Sequence, residues 1–353
     1  MFGTNRHSRV GIEGQQFTIN GQPTLAGREY DGHSLEGLLF NARMVQALFD
    51  DEHPSTRPIF AYPDTGTFDP DRNVTECCRA MPSWQGDRRQ SRLQAITVNF
   101  QGGRPVRAAP DQPWRVSGFT ADGSLKPAWL ERLHRLLTRA DTLGLVVILG
   151  YFYFGQEDVF RDDEAVRTAA TNLTDWLLTN EFTNVLVEVT NECNVNYDRR
   201  PFQPEHIDEL IRTIQARSRA GWHYDVGVSF GGGTVPTSQV IEASDYVLMH
   251  GNGVEHPDRI REMVEETRAD PAYDDEPIVF NEDDHYEFDA ADNNMEAAIS
   301  RYASWGYFDP GTNDYASGFQ CPPVDWRIRT DRERAFFRQL HRIVHGETPP
   351  HTA

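Results

Sequence analysis

The sequence predicts an α/β protein folded as an eight-stranded parallel (β/α)8 TIM barrel. Three observations carry this expectation. Eight short apolar runs recur along the chain, amphipathic helical segments separate them, and several runs are apolar at consecutive positions, as strands buried on both faces are. An open doubly wound sheet is the competing architecture, and a count of eight favours closure. The chain has 353 residues, against about 250 for a typical barrel of this kind. The surplus falls in an N-terminal hairpin segment (1–30) and in extended βα loops. No internal repeat or low-complexity linker interrupts the pattern, so one catalytic-sized domain over 1–353 is expected, with a frayed tail at 346–353.

Taken in order, FTINGQPT (17–24) reads as a hairpin, with Asn20-Gly21 as its type I′ turn. Barrel strands are expected within 36–44, 93–103, 143–158, 184–192, 224–233, 244–253, 276–285 and 304–311. Between them, 124–144 has Pro127 near its start, an apolar stripe of Leu130, Leu133, Leu137 and Ala140, and Gly144 to stop it. Segments 205–219, 258–268, 293–305 and 330–344 carry the same helical spacing. The Pro-, Asp- and Thr-rich stretch 50–72 follows the first strand and belongs on the C-terminal face of the barrel.

Composition narrows the partners. There are 54 acidic against 34 basic residues, a formal net charge of −20, which repels nucleic acid and anionic lipid and tolerates a neutral substrate. Of the basic residues only Lys126 is a lysine. A GC-rich genome and a salt-loving habitat both produce that bias. Cys77, Cys78, Cys193 and Cys321 have no metal-type spacing, and neighbours such as the first two rarely bridge each other. The N-terminal stretch has no apolar signal-peptide core, and no run is long enough to span a bilayer. The expectation is a soluble protein, cytoplasmic unless a leader has been removed.

In this architecture chemistry sits where strands end. Strand ends here offer Asn99 and Gln101, Phe154 and Gln156, Asn191 and Glu192, His250, Glu282 with Asp283 and Asp284, and Trp305 and Tyr307. Glu192 closes the fourth strand and Glu282 the seventh, on opposite sides of the mouth. A carboxylate at the end of an apolar strand costs energy to desolvate unless something uses it. Two facing carboxylates suit glycoside hydrolysis with retention: one attacks the anomeric carbon while the other protonates the leaving oxygen, at a separation of about 5–5.5 Å. Repulsion from ionised Glu282 is expected to keep Glu192 protonated until Glu282 is esterified. Each glutamate also has a plainer reading, Glu192 as a helix cap or arginine partner and Glu282 as a surface turn residue. Arg43, near the end of the first strand, is either a ligand for sugar or carboxylate or half of a structural ion pair. Of Tyr151, Phe152, Tyr153 and Phe154, most fill the barrel or meet helices, and one could reach the cleft. The run Gly231–Gly233 follows the fifth strand, whereas barrel phosphate sites usually follow the seventh and eighth.

These residues resemble those of clan A glycoside hydrolases, the (β/α)8 group that includes the cellulase-like family 5. Asn191-Glu192 is similar to that clan's Asn–acid/base pair, and Glu282 to its nucleophile. His250 falls at the clan's histidine after the sixth strand, and Trp305 near its substrate-stacking tryptophan on the eighth. FTINGQPTLAGREY also looks like the opening hairpin of such enzymes. The resemblance spans about 17–345. It implies a retaining O-glycosidase acting on a β-linked or equivalent equatorial bond, without a cofactor or metal, on a glycoside, oligosaccharide or polysaccharide. Glu192 and Glu282 are its catalytic pair. Asn191, His250, Trp305, Arg43, Asn99 and Tyr307 are its substrate-binding candidates. Here His250 sits in MHGNG, without the clan's common His-x-Tyr, and Glu282 sits in the unusually acidic FNEDDH. Two rivals are a metal-dependent sugar isomerase-type barrel, with Glu192, Glu282, Asp283, Asp284, His250 and His285 as ligands, and a non-catalytic carbohydrate-binding barrel.

Overall fold

A computed structural model describes residues 6–85, 93–106, 113–290, 292–311 and 317–347. The end of the expected tail, 348–353, and part of the last βα loop, 312–316, lie outside the described residues.

All eight expected barrel strands are present. They are β1 (Asn41–Arg43), β2 (Ala95–Asn99), β3 (Val146–Tyr153), β4 (Val185–Asn191), β5 (Val226–Gly227), β6 (Val247–His250), β7 (Ile278–Asp283) and β8 (Ser304–Tyr307). Every residue of β3 and β4 is buried, which explains their unbroken apolar character. The strands pair in parallel in the order β5-β4-β3-β2-β1-β8-β7-β6. At the β5/β6 seam, the Asp245 amide donates to the Val226 carbonyl at 2.8 Å and that of Gly233 to the His250 carbonyl at 3.0 Å. The sheet is therefore a nearly closed barrel. Only two residues of β5 are regular, yet the Asp225 and Ser229 carbonyls still accept from Val187 and Cys193 of the β4 segment.

One helix follows each strand: α1 (Pro70–Trp84), α2 (Pro127–Leu143), α3 (Asp163–Thr179), α4 (Ile207–Gln215), α5 (Ser238–Ala243), α6 (Pro257–Ala269), α7 (Asn294–Ser300) and α8 (Asp331–His345). Helix α2 starts on Pro127 and stops at Gly144, whose φ of 76° is the left-handed cap the sequence signals. Helices α1, α3 and α5 were not among the segments expected from spacing. Two of them carry legible caps, Asp69 before Pro70 and Asp162 before an acidic first turn, each side chain accepting backbone amides. Helix α7 ends at Ser300 rather than 305, because Tyr302 at φ 51° turns the chain into β8.

The hairpin turn forms as read, with Asn20 at φ 57° and Gly21 at φ 71°. Its strands join a further strand, Val10–Glu13. Val10 and Phe17 from this sheet pack on Leu39, Ala95, Val146, Ile148, Leu186, Leu248 and Val279, closing the N-terminal end of the barrel with apolar side chains. Nearer the C-terminal end the interior becomes polar. Gly306 and Gly150 leave space there: a Cβ on them would come within 2.4 Å of Asn41 Nδ2 and 2.5 Å of Asn99 Oδ1. The four cysteines are free, and among the described residues no helix is long and apolar enough to cross a membrane.

Candidate active site

Strand register brings β1, β4, β6 and β7 to a common level at the C-terminal mouth. Asn191 is the last residue of β4. Glu192 follows it at φ 50°, a left-handed conformation that costs a non-glycine residue roughly 1–2 kcal/mol. The Ser229 hydroxyl accepts the Glu192 amide at 3.0 Å and helps hold this turn. On the other side, a register shift between Met249 and His250 pairs His250 with Glu282.

The two glutamates meet through His250 and Arg43. His250 Nδ1 lies 3.0 Å from Glu192 Oε1 and 3.6 Å from Glu282 Oε2. One carboxylate oxygen of each glutamate and a ring nitrogen of His250 all lie within 4.8 Å of one another. Arg43 Nε forms an ion pair with Glu282 Oε2 at 2.6 Å, and its Nη2 donates to Asn191 Oδ1. Asn252 Nδ2 donates to Glu282 Oε1 at 3.0 Å. Asn191 Nδ2 is buried and has no hydrogen-bond partner among the described residues. The pair is nearly enclosed, with side-chain exposures of 12% for Glu192 and 6% for Glu282.

The electrostatics reverse one expectation. Burial pushes the Glu192 carboxyl up, but His250, through its contact and charge, together with Arg43 and Arg104, outweighs it and holds the carboxyl below its usual value. Burial raises Glu282 above its usual value despite the opposing charges of Arg43 and His250. Repulsion from Glu282 does not dominate Glu192, because the His250 imidazole, 3.0 Å away, outweighs it. His250 itself is desolvated, which opposes its charge, yet Glu282 and Glu192 raise its proton affinity. Arg43 is fully buried, and Glu282 and Glu188 outweigh that penalty.

Other expected residues are placed differently. Trp305 is corrected: it is fully buried, its indole N–H donates to Asp283 Oδ2 at 2.9 Å, and its ring packs against Phe288 and Phe336 of α8. Tyr307 is likewise corrected, stacking on Phe336 at 4.4 Å between ring centroids with its hydroxyl on Asp309. Strand alternation explains both, since the residue between them, Gly306, is the one facing Asn41 inside the barrel. Asn99 lies inside against Gly150, and neither of its side-chain polar atoms has a hydrogen-bond partner among the described residues. Of the four aromatics at 151–154, Tyr153 reaches the site: burial first, then the charge of Glu282, raise its phenol well above the usual range. Its ring packs on the Gly103 backbone.

Three contributors went unread in the sequence. Asn252 and Asn281 gave no signal beyond their polarity in and after strands. Glu188 did, as a charge inside the apolar run of β4. Among the described residues two groups could offer ligands to a metal ion: Glu192, His250 and Glu282, and separately Asp283, Asp284 and His285. In the first, the Arg43 guanidinium already occupies the Glu282 carboxylate. In the second, Asp283 is engaged by Trp305, Asn294 and His285. A cavity of about 860 Å³ lies at the opposite end of the barrel, lined by hairpin residues such as Asn20 and Gln22. Barrel architecture places chemistry at the carboxylates instead.

No protein-family model matches this sequence, and no curated protein is significantly similar to it. Solved structures are similar in fold. A glycoside hydrolase family 5 enzyme from Prevotella bryantii superposes with a TM-score of 0.52 at 11% identity, covering 87% of this chain and 96% of that one. A Bacteroidetes-affiliated family 5 cellulase gives 0.55 at 14% identity, over 88% and 92%. A structure described as a glycoside hydrolase from Bacteroides vulgatus gives 0.57 at 12% identity, over 96% of this chain and 62% of that one. The chain thus shares the (β/α)8 barrel fold of these solved structures.

Proposed function

We propose that the protein is a retaining glycoside hydrolase. The observation that carries this reading is the convergence of Glu192 and Glu282, from β4 and β7, on one point of the C-terminal mouth, with oxygens less than 4.8 Å apart. The likeness in fold to family 5 enzymes supports it. Glu282, aimed by Arg43 and Asn252, attacks the anomeric carbon, and the bond to the leaving oxygen breaks as that oxygen gains a proton. Glu192 and His250 hold a proton between Oε1 and Nδ1, and this couple is the acid: the proton leaves through Glu192, and the imidazole becomes neutral. In the second step water loses its proton to the same couple and displaces Glu282. Asn191 Nδ2 is free to bond the sugar 2-hydroxyl. Ionisation of Glu282 sets the acid limb of activity, and because burial raises its proton affinity, that limb is shifted upward from the ordinary glutamate value.

The test is a screen of aryl glycosides, followed by NMR of the first-formed anomer. Retained configuration supports the reading, inversion would remove the nucleophile role of Glu282, and activity abolished by a chelator would favour a metal-dependent enzyme.

A further inference from the structure

Beneath the mouth lies a charge that the proposed reaction does not touch. Glu188 stands in β4, and its side chain is completely buried. Its register partners on both sides are glycines, Gly150 and Gly227, so no neighbouring Cβ crowds it. An ionised carboxylate sealed from water needs several partners. Among the described residues Glu188 has one hydrogen bond, from Asn281 Nδ2 to Oε1 at 3.2 Å. Otherwise Arg43 Nη1 lies 3.7 Å from Oε2 and His250 Nε2 lies 4.0 Å from Oε1, close approaches beyond hydrogen-bond distance.

Those two side chains are the ones that meet the mouth glutamates. Arg43 gives Nε to Glu282 and Nη2 to Asn191, leaving Nη1 toward Glu188. His250 turns Nδ1 to Glu192 and Glu282, leaving Nε2 toward Glu188. Each of the two side chains therefore lies between an upper carboxylate and this lower one. We propose that Glu188 is a positioning residue, which holds Arg43 and His250 from below so that their upper nitrogens meet Glu282, Asn191 and Glu192. Its effect on turnover rests on the hydrolase reading above, whereas its hold on His250 does not.

The groups around it fix the direction of the effect. Arg43 faces it from β1, His250 from β6, and Asn281 from β7, with Glu282 beyond. Glu192 lies above on its own segment. The phenols of Tyr246 and Tyr197 also sense its charge, and its paired neighbours in β3 and β5 are uncharged glycines. Removing one negative charge without changing shape makes every remaining acid of this cluster easier to deprotonate. In Glu188→Gln both limbs of the pH–rate profile should move to lower pH, and so should the His250 titration. A side chain that merely fills space would leave the limbs where they are.

The experiment compares Glu188→Gln and Glu188→Asp with the unaltered protein. It measures kcat/KM against pH on an aryl glycoside that the protein turns over, and the His250 imidazole titration by ¹⁵N NMR. For Glu188→Gln both limbs and the imidazole midpoint should fall by about half a unit to one unit, with kcat/KM at the optimum down roughly tenfold or more. Glu188→Asp keeps the charge but shortens the reach, so its rate should drop while its limbs stay. Unchanged limbs and an unchanged midpoint in Glu188→Gln would overturn the proposal. If no glycoside is turned over, the function falls alone, and the midpoint still decides the role of Glu188. If Glu188→Gln does not fold, Glu188→Asp decides it: the shortened reach should move the ¹⁵N signal of His250 Nε2, and an unmoved signal with an unchanged kcat/KM would overturn the proposal.

Discussion

The two ends of the barrel interior are made of opposite residues on the same strands. Toward the N-terminal end β1 is preceded by Leu39, β4 carries Leu186 and β7 carries Val279, all under Phe17 of the hairpin. Toward the C-terminal end the same strands carry Arg43, Glu188 and Glu282. The lower end gains stability from apolar burial. The upper end spends some of it on desolvated charges that stabilise the fold poorly and can do chemistry. Stability and activity should therefore respond to substitution at different ends.

The largest expected contrast is at Glu282. Glu282→Gln should lower turnover of an aryl glycoside by about a thousandfold or more, because no covalent intermediate can form, while circular dichroism shows a folded protein. At the lower end, Leu186→Ala should cost about 2–5 kcal/mol of stability in a denaturant melt and leave the positions of the pH limbs unchanged. If Leu186→Ala instead moved the limbs, the separation between the two ends would fail.

A smaller effect concerns a carboxyl below the mouth. Asp225, just before β5, is pushed up to about 7 by burial and by Asp245. Raised above its unfolded value, it favours the folded state fully only below about pH 4, and that contribution is lost as pH rises through about 7. Asp225→Asn should therefore stabilise the protein at pH 8 by about 1–2 kcal/mol, a figure reduced for its partial exposure, and should do little at pH 4. Equal effects at both pH values would contradict this. The smallest effect is that of salt. The net charge of −20 repels itself, so the melting temperature should rise by a few degrees between low salt and molar NaCl. A flat response would favour genome composition as the reason for the lysine-poor sequence.

Much of this was legible in the sequence, and the failures have physical causes. The eight strands were visible because parallel strands buried on both faces are continuously apolar, and Glu192 and Glu282 stood out by ending two of them. Trp305 and Tyr307 were misplaced because strand ends show which residues reach the mouth level but not which face they take. Gly306, an odd residue between two aromatics, was the clue. Helices α1 and α3 are weakly marked by spacing although Asp69 and Asp162 announce their starts: α1 carries Pro82 in its interior, and α3 is built largely of alanine and threonine. The charge state of Glu192 could not be read from its distance along the chain to Glu282, since the imidazole that controls it comes from a third strand. Glu188 was hidden inside a run whose apolar neighbours drew the strand assignment.

The central claim is that Glu282 is the nucleophile and Glu192 the proton donor and acceptor, and azide tests it most directly. In Glu192→Ala the glycosyl-enzyme still forms from an activated aryl glycoside, and azide needs no base to displace it. The product should be a glycosyl azide of retained configuration. In Glu282→Ala azide can only take the place of the missing carboxylate, so its product should be inverted. Swapped stereochemistry, or no rescue of either folded variant, would contradict the assignment.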